Sequence, residues 1–333
     1  MKKWSGYKNL LPKSRLTPST SSIPNMWNAK FEIVSTRSHF DLQTGELNTV
    51  HNTEDYYCLN VPGFGGITRP DNYELILYIH GVWSGPLAAK EQLGRIKLSL
   101  NANGYTGPVI CYSWDSNTAF NPSGWAVAKS IADQNGSKLA KFLSDYKVNY
   151  PDDNIRIVAH SLGAKIVESA LLNLDNNQTW NKNSAYNITS VHLIGAAISD
   201  TAISKNKPFG VAIDNMVNSF YNLYSSEDKV LQSLYINAEN QNPLGLFGMN
   251  KEEPAPTHYI EYNVKSEIPP LKNASGIYQP YSDNSVNGWG DNHSGYIGFR
   301  ERYPSHKSLK DDGAVNLIVE DWRNNKHRNN TMI

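Results

Sequence analysis

Short apolar runs separated by stretches of helical spacing constrain this chain more than any other feature. Leu75-Ile76-Leu77-Tyr78-Ile79 carries no polar residue, and Val109 to Trp114, Ile155 to Ala159, Val191 to Ala196, Ser219 to Tyr224 and Tyr259 to Val264 read as further strands. A continuous apolar run is the pattern of a strand covered on both faces. Between the runs the period changes. Gly85-Pro86 offers a helix start with proline at the first helical position, and Leu93, Ile96 and Leu100 follow at helical spacing. Residues 138–149 place Leu139, Phe142, Leu143 and Tyr146 on one helical face. Further helices are predicted over 162–173 and 227–236, with a closing one marked by Ala314, Leu317, Ile318 and Trp322. Strands alternating with helices predict an α/β fold, a mostly parallel sheet with helices on both faces and right-handed crossovers. In such a sheet ligands bind outside the carboxyl ends of the strands, which is the test for every candidate residue.

The chain has 333 residues, 39% hydrophobic and 19% charged, enough for one large core. Its 31 basic and 31 acidic residues cancel, which leaves no electrostatic footprint for nucleic acid or an anionic membrane. Cys58 and Cys111 are too few for a disulfide scaffold, and no CxxC or Cys/His cluster suggests zinc. The start, Met1-Lys2-Lys3-Trp4, is followed by no apolar stretch of signal length, and no run approaches a membrane span. The expectation is a cytoplasmic protein as written, with secretion left open for a trimmed chain. Residues 1–27 read as an extended arm. Residues 28–62 hold short β-like pieces, Phe31-Glu32-Ile33-Val34 and Tyr56-Tyr57-Cys58-Leu59, ended by the loop Pro62-Gly63-Phe64-Gly65-Gly66.

Ile155 to Ala159 runs into His160-Ser161-Leu162-Gly163, and helical spacing resumes at once. A strand–turn–helix this tight needs small residues two before and two after the serine, here Ala159 and Gly163. The following helix points its positive end at Ser161 and favours negative charge there. A serine that merely caps the helix is the plainer alternative.

Ala159-His160-Ser161-Leu162-Gly163-Ala164 resembles the nucleophile elbow of α/β-hydrolases, with alanine where glycine is usual. It is similar to the elbows of lipases, esterases and related families with a His-Gly loop upstream. The resemblance covers about residues 73 to 325. It implies the α/β-hydrolase fold, with residues 1–70 as an arm and early strands packed on a catalytic domain over 71–333. It also implies that Ile79-His80-Gly81-Val82-Trp83 is the oxyanion loop, with the backbone amides of Val82 and Leu162 as donors. His80 then hydrogen-bonds within that loop and is not the base.

In this fold the chain order is nucleophile, acid, histidine. Asp228, just past the strand ending at Tyr224, is the implied acid, with Glu227 and Asp200 as rivals. His258, His293, His306 and His327 lie after it. His293, in Gly290-Asp291-Asn292-His293-Ser294-Gly295-Tyr296, follows the last predicted strand in a polar loop and is the chosen base. Asp115 sits at a strand end but precedes the serine, so it is left out of the triad.

The implied chemistry is hydrolysis of a small-molecule ester or lipid through an acyl-enzyme, with no metal or organic cofactor. Thioesterase, amidase and peptidase activity need the same triad and stay open, as does a non-catalytic binding protein on the same fold. Trp83, Trp114 and Trp289 lie next to the predicted site and read equally as an acyl pocket or as ordinary packing. Segments near 116–136 and 238–289 are candidate cap or lid pieces.

Overall fold

A computed structural model describes residues 31–48, 55–70, 73–183, 186–269, 271–272, 278–279, 292–298 and 312–330. Eight strands form one sheet: β1 (Ile33–Ser35), β2 (Tyr57–Leu59), β3 (Leu75–Ile79), β4 (Ile110–Ser113), β5 (Ile155–His160), β6 (Ser190–Ile194), β7 (Phe220–Tyr224) and β8 (Tyr259–Asn263). Their order is β2-β1-β4-β3-β5-β6-β7-β8. Within this sheet only the β1–β2 pair is antiparallel.

Every residue of β3, β4 and β5 is buried, including Arg156 of β5, whose Nε donates to Glu74 Oε1 at 2.7 Å. Strand alternation divides them between two cores. Leu75, Leu77, Ile79, Ile157 and Ala159 face one side, and Ile76, Tyr78 and Val158 the other. From β3 the chain moves through α1 (Pro86–Ala102) to β4 on one flank. It returns through α2 (Pro122–Asn149) to β5 on the other flank. Right-handed crossovers in opposite directions put their helices on opposite faces. Leu93, Ile96 and Leu100 of α1 accordingly join the core of Ile76, with Ile318, Val319 and Trp322 of α8 (Val315–Asn330). α2 packs opposite, beside α3 (Gly163–Asp175) and, past the short α4 (Gln178–Lys182), α5 (Pro208–Met216). The reversal of direction falls between β3 and β5, and the crevice at their carboxyl ends is where a site is expected.

The helix expected over 138–149 begins at Pro122. Asn121 caps it, its Oδ1 accepting from the Gly124 amide at 2.8 Å. Of the segments expected as cap pieces, 122–136 is therefore helix, with Ala128, Ile131, Ala132 and Asn135 buried. Part of the other, around α7 (Leu244–Phe247), is fixed to the sheet rim. The Leu244 and Gly245 amides donate to Ile198 and Ala196, and Leu244, Leu246 and Met249 are buried. Near 227–236 the helix opens as a π turn, Leu231–Tyr235, and runs into α6 (Ile236–Glu239).

α2 and α3 cross closely at Gly136. A Cβ there would lie 2.3 Å from both Cβ and Oγ of Ser169 and 2.6 Å from its backbone carbon. Gly136→Ala is expected to destabilise the protein by about 1–3 kcal/mol through overpacking, although alanine is the better helix former. A lower denaturant midpoint at unchanged m-value is the readout.

Candidate active site

β5 ends at His160, and the chain reverses at Ser161, whose φ is +56°. Side chains seldom occupy this left-handed region, so the turn stores strain. The backbone is held on both sides. Ser161 N–H donates to Ile194 O at 3.1 Å, and Ser161 O accepts from Ala164 and Ala197 at 3.1 Å each. A Cβ at Gly163 would lie 2.9 Å from Ile79 O, which explains the small residue two after the serine. Ala159, two before it, is fully buried and fits.

Asp228 lies past the end of β7, buried, at the start of the helix through 231–235. Its Oδ1 accepts from the Val230 amide at 3.1 Å and the Leu231 amide at 3.0 Å, an N-cap. Its Oδ2 accepts from His293 Nδ1 at 2.7 Å and from the Tyr296 hydroxyl at 3.2 Å. Four donors thus converge on this one carboxylate. Burial and the nearby Asp228 charge push the Tyr296 phenol well above its usual range, so it stays a donor.

His293 opens a 3₁₀ turn, His293–Ile297, that is pinned from several sides. Asn292 donates to Glu227 O at 3.1 Å and Ile268 O at 2.8 Å, and accepts from the Lys229 amide at 3.1 Å. Arg95 of α1 donates to Ser294 O at 2.8 Å and to Gly298 O. His160 lies 2.9 Å through Nε2 from His293 O, and since a carbonyl only accepts, His160 donates. Burial, reinforced by His293, holds the His160 imidazole well below its usual pKa and therefore neutral. The His160 and His293 rings are 4.6 Å apart, and a Cβ at Gly195 would lie 3.2 Å from His293 Cε1. The turn that follows β6, whose Ile194 carbonyl binds the Ser161 amide, thus leaves no room for a side chain beside the edge of His293.

The loop after β3 completes this end of the sheet. A Cβ at Gly81 would sit 2.7 Å from Ser161 Cβ and 3.2 Å from its Oγ, so the loop lies against the serine. Among the described residues, no hydrogen bond engages the Val82 or Leu162 amide. Leu162 immediately precedes α3, where first-turn N–H groups lack intrahelical partners. Trp83 is a second strained residue, with φ +56°, and its N–H donates to Ser116 O at 2.7 Å.

The structure therefore brings Asp228 and His293 into contact, with His293 packed against His160, the residue before Ser161. Glu227 is exposed, and Asp200 is engaged by Asn242 and the Thr201 backbone. His258 is exposed at the start of β8, the opposite end, and His306 is outside the described residues. Trp83 is half-buried beside Phe120, centroids 4.5 Å apart, and near Trp125 at 6.0 Å. Trp114 corrects the pocket expectation. It is 0% exposed, its indole N–H donates to His80 O at 2.8 Å, and it stacks on the His80 ring, so it braces the loop from the core. Trp289 lies outside the described residues. Asp115 accepts from the Ser38 and Phe40 amides at 3.0 Å each and ties the first strand region to β4. Cys58 and Cys111 are both free thiols. Among the described residues, no group of three His, Cys, Asp or Glu side chains is placed to hold a metal, and no helix is long and apolar enough to cross a membrane.

A mostly parallel eight-stranded sheet between helix layers, with a left-handed serine at its reversal point, is the α/β-hydrolase fold. The chain belongs to the family described as "Alpha/beta hydrolase of unknown function (DUF900)", whose model matches residues 66–254. That span holds Ser161 and Asp228 but neither His293 nor the first two strands. No curated protein matches the chain. Among solved structures it is similar to a cutinase-like protein from Cryptococcus sp., with 10% identity and a TM-score of 0.31, over 67% of this chain and 88% of that one. It is also similar to an acetyl xylan esterase, with 11% identity and a TM-score of 0.26, over 45% of this chain and 83% of that one. Likenesses this loose carry neither fold nor function.

Proposed function

We propose that this α/β-hydrolase is a serine hydrolase of carboxylic esters, with Ser161 as nucleophile, His293 as base and Asp228 as the acid that orients it. The observation that carries the reading is the 2.7 Å bond from His293 Nδ1 to a buried Asp228, at the same rim as the strained Ser161. With its Nδ1 proton held by the carboxylate, the imidazole uses its unprotonated Nε2 to accept the serine proton. The hydroxyl oxygen attacks the ester carbonyl, and the Val82 and Leu162 amides take the oxyanion. The imidazolium then protonates the departing alcohol, and water releases the acid by the reverse sequence. Hydrolysis of p-nitrophenyl esters of graded chain length tests the reading. Ser161→Ala is expected to remove the activity, and full activity in that variant rejects the assignment.

Tyr296→Phe removes a hydroxyl that lies 3.2 Å from Asp228 Oδ2 and 3.4 Å from Gly245 O. The hydroxyl shares Oδ2 with His293 and draws charge from the carboxylate. Without it, Asp228 holds an imidazolium more strongly and the histidine becomes more basic. The acid limb of the kcat/KM profile is expected to move to higher pH, with about 1 kcal/mol lost from stability. An unmoved limb contradicts the sharing of Oδ2.

A further inference from the structure

We propose that Arg37 is a positioning residue for this reaction, acting through His80 to fix the peptide that carries the Val82 amide. The inference rests on the serine-hydrolase reading above. Arg37 follows β1 and lies outside the matched family segment, 66–254. Its Nη2 is 3.1 Å from His80 Nε2, and the Trp114 amide is 3.2 Å from the same atom. A guanidinium and a backbone N–H can only donate, so Nε2 must accept from both. Burial, with the Arg37 charge adding to it, holds His80 well below its usual pKa, so the ring is neutral and its single proton sits on Nδ1. Nδ1 is 2.9 Å from Gly81 O, and the proton is donated there. The Gly81 carbonyl and the Val82 N–H belong to one peptide, and no peptide in the described chain is cis. Pinning the carbonyl towards His80 turns the N–H to the opposite side.

Arg37 also spans the loop. Nη2 donates to Ser84 O at 2.8 Å, Nε to Ser113 Oγ at 2.9 Å and Nη1 to Asn117 Oδ1 at 3.2 Å. Both ends of the loop, His80 and Ser84, are thereby tied to the end of β4. Each bond in the series from guanidinium to imidazole to carbonyl polarises the next, which leaves the Val82 N–H a stronger donor. The segment before residue 66 is thus given a task in the reaction.

The test combines kinetics with a measurement on the unaltered protein. Fluorophosphonate labelling carried to completion counts competent Ser161 sites, so rates are expressed per labelled site. Arg37→Met is expected to lower kcat per site by about 10²-fold with KM changed less than about twofold, because the contact forms in the transition state. It is expected to weaken an aryl trifluoromethyl ketone inhibitor in proportion, and Arg37→Lys to recover part of both losses. Fewer labelled sites at unchanged kcat per site would assign Arg37 to fold stability alone and overturn the proposal. Independently of any variant, ¹⁵N NMR of the wild-type imidazoles is expected to place the His80 proton on Nδ1. A proton on Nε2 overturns the proposal even if Arg37→Met does not fold. Absence of label on wild-type Ser161 would sink the underlying hydrolase reading instead.

Discussion

Ser161→Gly is expected to lower ester hydrolysis by roughly 10³- to 10⁶-fold while making the protein more stable than Ser161→Ala by about 1 kcal/mol. The two effects share one cause. At φ +56°, a residue with a Cβ is strained by about 1–2 kcal/mol, and glycine is not. Part of that relief is offset by the greater freedom of glycine in the unfolded chain. Ordinarily a buried alanine outdoes glycine at a strand-to-helix junction, so the reversed ranking is diagnostic. Turnover per molecule and thermal unfolding of the two variants measure both halves. A less stable glycine variant would mean that the serine is unstrained. Retained turnover would remove it from the reaction.

Asp228→Asn is expected to lower kcat by about 10⁴-fold with little loss of stability. The carboxylate serves two sets of donors, the Val230 and Leu231 amides at Oδ1 and the His293 and Tyr296 groups at Oδ2. Asparagine has one acceptor oxygen. If it stays on the helix cap, the amide NH₂ faces His293 Nδ1, and the ring must accept there. Its proton then moves to Nε2, the atom that should take the serine proton, and the base is lost by a change of tautomer. The cap survives, so the melting temperature should shift by only a few degrees at most. An Asp228→Asn variant with near-normal kcat would mean that another group sets the tautomer.

The strands and turns that carry the candidate site were legible because each depends on local patterning. The run Ile155 to Ala159, apolar but for Arg156 and meeting a small-residue turn, leaves few conformations besides strand and elbow. The chain order implied by the resemblance singles out Asp228 and His293, and these two side chains meet. What the sequence hides is direction. A large aromatic at the end of a strand reads alike whether it faces a crevice or the core, and Trp114 faces the core. The first turns of α2 hide behind Asn121-Pro122 and Asn135-Gly136, which look like loop residues but serve as a cap and a close helix crossing. Arg37 and Asn292 carry no pattern at all, because their partners, His80 and the turn around Asp228, are distant in the chain.

Fluorophosphonate treatment of the native protein, followed by peptide mapping, tests the central claim most directly. One adduct is expected, on the Ser161 oxygen, blocked by prior denaturation and slowed strongly in His293→Ala. Folded protein that takes no label, or takes it on a different residue, would contradict a nucleophile at the turn after β5.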